Sequence, residues 1–419
     1  MKKFIPLFYG LFASLFAVTD VQYQELQKRV AALESKPINP AATCGKEGWG
    51  VVLTAEPLYW KVSQEGLEYA ITASYDLVVD NYNATTPFYK LNVSKGKAHA
   101  PDFDWNWGFR VGLGYKIPRD GWDLGGKWAR YHHSASDRIE RSGDPNPNNI
   151  PSVANAGSGQ FISPFWVAQL FATPGLMNRA KALWNLHLDV GDIALGREFF
   201  LSDYLVVKPF IGLRGAWVDQ TYRLSFLTYD YPNNPDDIAK EIYVKMKNDM
   251  KGIGGRLGLS TKWLLKWGFS VCAEGAFSAL YSRVQLSYFL HDRQYVPILS
   301  PLGNGSVGNF PIFNGTAPFD DSYGVKNSFH TSTYVGDLFL GLCWERSFRE
   351  DRFCMKVWAG YEQSIYFQQN RFMNHQYDFS LISPFNSAVI QGGNEGPNYF
   401  SDRGNMTVAG GSGGLTFSF

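Results

Sequence analysis

Charged side chains recur on one face of segments in which every second residue is apolar. This alternation is typical of extended strands, because successive side chains of a strand point to opposite faces. If the apolar faces contact lipid, the charged faces enclose the interior of a barrel, where fixed charges attract or repel small ions and polar solutes. The charged residues that fit this placement, and are therefore candidates for lining a pore, are Arg110, Lys116, Lys127, Asp189, Lys208, Arg214, Arg256, Lys262, Glu274, Asp337, Glu345, Lys356 and Glu362.

A filled interior is the alternative for the same charges. An Arg or Lys that faced lipid at mid-membrane would cost about 2 to 4 kcal/mol, so an interior position is expected in either case. A barrel of about eight strands is only wide enough for its own side chains, and opposite charges can then pair across a solid interior. A wider barrel leaves room for a conducting pore.

The cysteines are candidates for a disulfide. Cys343 and Cys354 flank a predicted short turn near Phe348 at equal distances, and both lie on the polar face of their strands. They are therefore a candidate disulfide inside the barrel. Two free thiols are the alternative, because a slip of the strand register by one residue would separate them. Cys44, in a predicted linker, is a candidate for an intermolecular bond or else a free thiol.

The sequence His132-His133-Ser134 is the only stretch that invites a hydrolase or metal interpretation. No residues with metal-ligand spacing surround it, and Ser134 is not part of a Gly-x-Ser-x-Gly motif. The glycines from Gly410 to Gly414, which flank Ser412 in that spacing, lie in a predicted strand that no helix follows. We therefore expect no catalytic residues, no metal and no cofactor, and a protein that is not an enzyme.

The clearest strand runs from Asp102 to Lys116, where every odd position is large and apolar and every even one is polar or glycine. On another segment, Trp184, Leu186, Leu188 and Val190 form the apolar face, which we expect to contact lipid. The other predicted strands are Gly50–Ile71, Gly121–Tyr131, Leu183–Leu195, Leu205–Phe226, Ile242–Lys262, Trp267–Tyr288, Tyr334–Glu345, Phe353–Phe367 and Asn405–Phe419.

Short and long connections alternate between these strands. This pattern predicts an all-β fold: a transmembrane antiparallel up-and-down β-barrel with short periplasmic turns and long external loops. Ten strands follow from the count, or twelve if a hairpin lies near Phe161–Phe171. The predicted short turns are Ile117–Asp120, Arg197–Asp203, Leu264–Lys266 and Ser347–Asp351, and the predicted long loops are Asp76–Pro101, Ser134–Lys181, Leu227–Glu241, Leu290–His330 and Gln369–Gly404.

The N-terminal part divides into three predicted segments before a barrel at 50–419. Residues 1–19, with two lysines before an apolar run, are a predicted secretory signal. Residues 20–36 are a predicted short amphipathic helix, and residues 37–49 a linker. Within the helix, the apolar spacing over residues 21–35 is that of a two-heptad seam, which either mediates homo-oligomerisation or frays.

The last strand ends on an aromatic residue. Leu415, Phe417 and Phe419 alternate with small or polar residues, and the chain closes on Phe419 itself. This ending resembles the signal that outer-membrane barrel-assembly machinery recognises, so that machinery and outer-membrane lipid are the expected partners.

Composition excludes several other classes of protein. The 419 residues carry a formal charge of only +1, so a nucleic-acid partner is not expected. No apolar run of about 18 residues follows the N-terminal segment, which argues against a spanning helix. Aromatic residues make up 16% of the chain, as suits a barrel wall; a soluble secreted β-protein is the remaining competitor.

Four further segments are distinctive: LYWKVSQEGLEYA at 58–70, DFDWNWGFRVGLGY at 102–115 followed by DGWDL at 120–124, KPFIGLRGAWVDQ at 208–220 and AGYEQSIYFQQNRF at 359–372. They resemble a known family, the Legionella-type pore-forming major outer-membrane proteins with relatives in environmental chlamydiae. The resemblance implies an abundant surface porin in oligomeric or disulfide-linked form, exposed loops that contact host cells, and no catalytic set.

Pattern and resemblance together predict an outer-membrane porin of a Gram-negative-type cell envelope, with surface-exposed loops. Its expected function is a passive, weakly selective channel for ions and small polar solutes. The alternative is a structural or adhesive surface barrel with a plugged lumen.

Overall fold

In a computed structural model, the described part of the protein consists almost entirely of strands. The structure describes residues 24–25, 27–29, 50–80, 88–117, 121–140, 158–164, 177–230, 234–294, 319–348, 353–376, 398–401 and 404–419. Its strands are β1 Gly50–Gln64, β2 Ala70–Asp80, β3 Phe88–His99, β4 Trp105–Lys116, β5 Trp122–Glu140, β6 Ser158–Pro164, β7 Arg179–Arg197, β8 Phe199–Ser202, β9 Leu205–Asp230, β10 Asn234–Leu264, β11 Phe269–Gln294, β12 Phe319–Phe348, β13 Phe353–Asn370, β14 Met373–Gln376, β15 Asn398–Ser401 and β16 Gly404–Ser418.

Ten of these strands, among the residues that the structure describes, close into an antiparallel barrel in the order β1, β4, β5, β7, β9, β10, β11, β12, β13 and β16. The closing pair is β16 with β1. Strand β6 overlaps the predicted additional hairpin near Phe161–Phe171, but it pairs with β2 outside the barrel sheet. The predicted barrel is therefore confirmed with ten strands, and β6 does not extend it to twelve.

Both ends of the barrel chain lie at the end with the short turns. Val51 and Phe419 exchange backbone hydrogen bonds of 2.9 and 3.2 Å, so the final residue pairs with the start of the first strand. A 3-10 turn at Lys266–Gly268 joins β10 to β11 at the same end. In an outer-membrane barrel this is the periplasmic end.

An apolar band surrounds the outside of the barrel next to the periplasmic end. On β10 it runs from Ile253 through Leu257 and Leu259 to Trp263, whose side chains are 43 to 64% exposed. These eleven residues span about 33 Å along the strand, or about 25 Å along the membrane normal at a tilt of about 40°, which matches a bilayer core.

Above this band the apolar side chains change from the outer to the inner face. On β10, Val244, Met246 and Met250 point inward and are fully buried, whereas Lys247 and Lys251 are exposed outside. The extracellular half of the barrel therefore stands in water on its outside and has a hydrophobic core of its own.

Strand β7 shows the consequence for the predictions. Trp184, Leu186 and Leu188 are buried in this inner core rather than in contact with lipid, so the predicted direction of that apolar face is wrong. The lipid-facing residue of β7 lies lower, at Ile193, which is 58% exposed and belongs to the opposite face.

One predicted long loop is also wrong. Over residues 227–241 the strands continue, β9 to Asp230 and β10 from Asn234, as an extended hairpin. Polar side chains on the outer face gave the sequence a loop-like composition, although here they mark strands that project beyond the membrane.

Of the N-terminal 49 residues, the structure describes only a small part. Residues 24–25 and 27–29 are helical, and Arg29 contacts Glu25 at 3.1 Å, one helical turn away. The signal segment 1–19, the linker 37–49 and Cys44 lie outside the described residues. Within the described parts of the chain, no helix is long and apolar enough to cross a membrane.

The lipid contact can be tested by placing a charge on the band. Leu340, which points outward from β12 and is 60% exposed, lies near the middle of the band. We expect Leu340→Arg to lower the free energy of unfolding by about 2 to 4 kcal/mol in lipid vesicles, measured by urea titration. On the same strand and the same face, Ser332→Arg lies at the edge of the band, opposite Tyr281, and should cost about 1 kcal/mol or less. Equal costs for the two variants would contradict a lipid-facing Leu340.

Candidate solute path inside the barrel

A first charged cluster lies on the barrel wall where β1, β4 and β13 are close together. Arg110 contacts Glu56 at 2.7 Å and Glu362 at 3.2 Å, and Lys127 contacts Glu56 at 3.4 Å. The indole of Trp60 donates to Glu362 at 2.9 Å. These hydrogen bonds hold both carboxylates in fixed positions on the inner wall.

A second cluster faces it from β7, β9, β10, β11 and β12. Arg214 contacts Asp192 at 2.6 Å and Asp337 at 2.8 Å. Arg256 contacts the same two carboxylates at 2.9 Å each and reaches Glu274 at 3.4 Å. Each arginine thus bridges two strands through shared acids, and the cluster is a network rather than a set of isolated pairs.

Lysines dominate the periplasmic end of the interior. Lys262 contacts Glu345 at 2.7 Å, and Lys356 contacts the same carboxylate at 3.6 Å. Lys208 forms an ion pair with Asp123. One carboxylate shared between two ammonium groups leaves this end with an excess of positive charge.

The clusters surround open space inside the barrel. A cavity of about 360 Å³ is lined by cationic and acidic side chains in nearly equal number, together with Trp60, Tyr131 and Tyr366. An adjoining cavity of about 270 Å³ lies nearer the periplasmic end and is lined by Lys116 and Glu345, among others. The described part of the barrel therefore contains a charged vestibule in its periplasmic half.

The extracellular half of the interior is filled instead. Trp184 from β7, Tyr222 from β9 and Val335 from β12 point inward with no exposed surface. Leu67 and Phe372, which lie outside the barrel strands, are also fully buried there. Packed apolar side chains thus close the described interior above the vestibule.

Two inward-folded segments complete this closure, at 65–69 and 368–372. Tyr222 donates its hydroxyl to the Leu67 carbonyl oxygen at 2.6 Å, and the Asn370 amide donates to the Glu65 carbonyl oxygen at 2.6 Å. The Asn248 amide donates to the Gln369 carbonyl oxygen at 2.9 Å. Side chains from the wall therefore satisfy backbone groups that burial would otherwise leave unpaired.

Tyr69 fixes one end of the closure. Its hydroxyl donates to Asp137 at 2.9 Å. Burial first, and this carboxylate second, raise the pKa of Tyr69, so the phenol remains protonated and available as a donor.

The structure brings all but one of the predicted pore-lining residues to the walls of the two cavities. Asp189 is the exception, because it lies on the outer face of β7 and contacts Arg130 at 3.8 Å. The prediction for Asp189 is wrong because the apolar face of β7, which carries Trp184, points into the barrel, so the opposite face with Asp189 points outward. The charged residue that β7 supplies to the interior is Asp192.

Four interior carboxylates were missed. Glu198, which lines both cavities, lies in the predicted short turn Arg197–Asp203. Asp123 alternates with Trp122 and Leu124, so the pattern that identified Lys127 could also have found it. Glu56 shares its inward face with Leu58 and Trp60, and Asp192 lies where the apolar face of its strand changes sides. For those two, alternation gave no usable signal.

The disulfide prediction is corrected. Cys343 is bonded to Cys272 and therefore not to Cys354. In the β12–β13 hairpin Cys343 lies opposite Trp358, because the turn is centred two residues beyond the predicted position. In β11, by contrast, Cys272 lies on the inner face one diagonal step from Cys343.

Peptide mapping tests this bond. Mass spectrometry of unreduced peptides should find Cys272 joined to Cys343 across a sequence separation of 71 residues. Cys272→Ser should lower the free energy of unfolding by about 2 to 4 kcal/mol, because the unfolded chain loses a cross-link. Cys343→Ser should give the same loss and the double variant no more, whereas additive losses would contradict the bond.

The two histidines of the His132-His133-Ser134 motif point to opposite faces of β5. His133 points inward between Tyr131, Phe103 and Trp184, whereas His132 points outward and stacks on His187 at 4.3 Å. Among the residues that the structure describes, no group of three potential metal ligands occurs.

A closed antiparallel barrel with an apolar outer band and a charged interior defines an outer-membrane β-barrel protein. A family model described as the Legionella pneumophila major outer membrane protein precursor matches residues 41–402. The chain therefore belongs to the Legionella major outer membrane protein family, which confirms the resemblance found in its sequence, and it is located in the outer membrane. No curated protein sequence matches the chain.

Several solved outer-membrane proteins are similar over most of their length. The protease OmpT from Escherichia coli is 8% identical, with a TM-score of 0.34 and coverage of 90% of this chain and 100% of that one. A FadL homologue from Pseudomonas aeruginosa is 8% identical, with a TM-score of 0.21 and coverage of 88% and 90%. The toluene transporter TodX from Pseudomonas putida is 9% identical, with a TM-score of 0.24 and coverage of 93% of each chain. At these scores none of them indicates what this chain does.

Proposed function

We propose that this barrel is a passive, weakly selective channel for ions and small polar solutes across the outer membrane. The observation that carries the proposal is the charged vestibule of about 360 Å³ inside the wall. Charges of both signs line this vestibule in nearly equal number, which favours weak selectivity, and the excess of lysines at the periplasmic end adds a modest preference for anions.

The ion pairs support this role by holding the charges in place. Arg110, Arg214 and Arg256 each contact two or more carboxylates, so their guanidinium groups stay on the wall. A solute in the vestibule therefore meets fixed charges, and selection depends on its size and charge. The proposed channel needs no catalytic group or cofactor.

The narrowest point of the proposed path is the extracellular closure. Leu67 and Phe372 lie outside the barrel strands, in short segments that hydrogen bonds from Tyr222 and Asn370 hold inside the barrel. We propose that conduction requires these segments to leave the interior, as a gate in series with the vestibule.

Reconstitution in planar bilayers tests the channel. Purified protein should produce stepwise increases in conductance, with little difference between potassium and chloride in reversal-potential measurements. Silent membranes, obtained with protein that still shows heat-modifiable migration in gels, would contradict it.

A structural surface barrel with a plugged lumen is the second candidate. It is favoured by one observation, the apolar packing of the extracellular half, where Trp184, Tyr222 and Phe372 have no exposed surface. This candidate predicts that the closure is permanent, so the bilayer experiment separates it from the channel.

We also propose that the last strand contacts the barrel-assembly machinery and that residues 21–35 mediate a homo-oligomer. Leu415, Phe417 and Phe419 face outward with 37 to 52% exposure, which supports a role for that edge before it pairs with β1. Removal of Phe419 should reduce the amount of assembled barrel in the outer membrane, and cross-linking tests the oligomer.

A further inference from the structure

The outer surface changes sharply where the apolar band ends on β10 and β11. The last apolar side chains are Ile253 and Tyr281, which lie opposite each other and are 64% and 65% exposed. The next outward residues are Lys251 and Arg283, which are also exposed. Two cations therefore lie at the depth where acyl chains give way to lipid headgroups.

These two cations are also direct neighbours. Lys251 lies opposite Arg283 in the strand register, so their Cβ atoms are about 5 Å apart, and like charges in this position destabilise a sheet. Among the described residues, neither has an ion-pair partner, and Arg283 contacts only the neutral Ser328 hydroxyl, at 3.5 Å. No carboxylate of the described residues therefore lies within ion-pair distance of either cation.

Aromatic rings flank the pair on both sides. Trp217 of β9 lies opposite Lys251, and His330 of β12 lies opposite Arg283. The His330 ring stacks on Tyr281 at 5.4 Å. Tryptophan and tyrosine are enriched at membrane interfaces, so these rings independently place the pair at headgroup depth.

Two carboxylates share this outer face but lie farther from the membrane. Asp219 and Asp249 are opposite each other, one pleat above Trp217 and Lys251. Neither forms an ion pair within the described part of the chain, and Lys247 lies beyond Asp249 on the same face. The surface therefore keeps an excess of positive charge where it meets the membrane.

We propose that Lys251 and Arg283 bind the phosphate of a lipid headgroup in the outer leaflet. A phosphate offers several acceptor oxygens, which the guanidinium fork and the ammonium group can share. Its negative charge removes the repulsion between the two cations, while the acyl chains of the same lipid cover Ile253 and Tyr281. The site lies on the outer wall and does not depend on whether the barrel conducts.

Native mass spectrometry of the purified barrel with a phosphorylated acylated disaccharide, lipid A, tests the site. We expect the wild type to retain the lipid through detergent exchange. Lys251→Gln or Arg283→Gln should each weaken binding about tenfold, because each removes one charge-assisted contact, and the double variant about a hundredfold.

Matched controls separate this site from general charge effects. Arg138→Gln removes an equal charge at a position on β5 that is already paired with Glu140 at 2.6 Å, and it should leave binding unchanged. A double variant that combines Lys251→Arg with Arg283→Lys keeps both charges and should retain lipid binding. Heat-modifiable gel migration checks that each variant is folded.

Two further binding measurements use the wild-type protein alone. Dephosphorylated lipid A should bind at least tenfold more weakly than the phosphorylated form, whereas millimolar inorganic phosphate should not displace the bound lipid. Equal binding of the two lipids, equal binding by the double variant, or displacement by inorganic phosphate would each overturn the proposal.

Discussion

Arg214→Met is expected to lower the free energy of unfolding by about 3 to 5 kcal/mol. The Arg214 side chain is only 6% exposed and contacts Asp192 and Asp337, which are 20% and 15% exposed. Its removal leaves two carboxylates that share Arg256 alone, and part of their desolvation is then uncompensated. Urea titration of the barrel in lipid vesicles, followed by tryptophan fluorescence, measures the loss. Water in the adjoining vestibule would bring the value towards the lower end of the range.

Arg346→Met is the matched control for this charge. Arg346 is exposed near the periplasmic end of β12 and lies over the Phe348 ring at 5.8 Å. Its loss should cost about 1 kcal/mol or less. Arg214→Lys, which keeps the charge but loses the planar fork, should fall between the two. A loss for Arg214→Met no larger than for Arg346→Met would show that the network does not stabilise the barrel.

The second large effect is on conductance. Combining Leu67→Gly with Phe372→Gly should raise single-channel conductance severalfold, because both side chains fill the extracellular closure and neither belongs to a barrel strand. The wall hydrogen bonds stay intact, so the barrel should still insert into planar bilayers. The core above the vestibule loses the apolar contacts of two buried side chains, and a stability cost of about 5 to 10 kcal/mol accompanies the opening.

Ile253→Gly is the control for the conductance change, since it shortens an apolar side chain on the lipid face. It should leave conductance unchanged. If the double variant conducts like the wild type while both are active, the constriction lies elsewhere. If the wild type is silent and the double variant conducts, the closure is permanent in the native barrel. The protein is then a structural surface barrel with a plugged lumen.

Much of the charged interior could be predicted from alternation alone. On β4 the large apolar residues from Trp105 to Tyr115 lie outward with at least 42% exposure, and Arg110 and Lys116 line the interior, as expected. The same inference failed for Asp189, where the apolar face of β7 points into a core. Alternation identifies two faces of a strand, but it does not state whether the apolar one contacts lipid or protein.

By itself the sequence determined an antiparallel barrel of ten or twelve strands, the outward direction of the apolar face of β4, and the end of the barrel at which Phe419 closes the sheet. Those features follow from local patterns: period-two alternation, turn length and a terminal aromatic residue. Only the tertiary structure decided that Cys272 pairs with Cys343, that Trp184 is buried, and that the extracellular half of the interior is packed. These features depend on register and on contacts between distant strands. Because hydrocarbon and a protein core both stabilise an apolar side chain by removing it from water, residue type cannot tell the two apart.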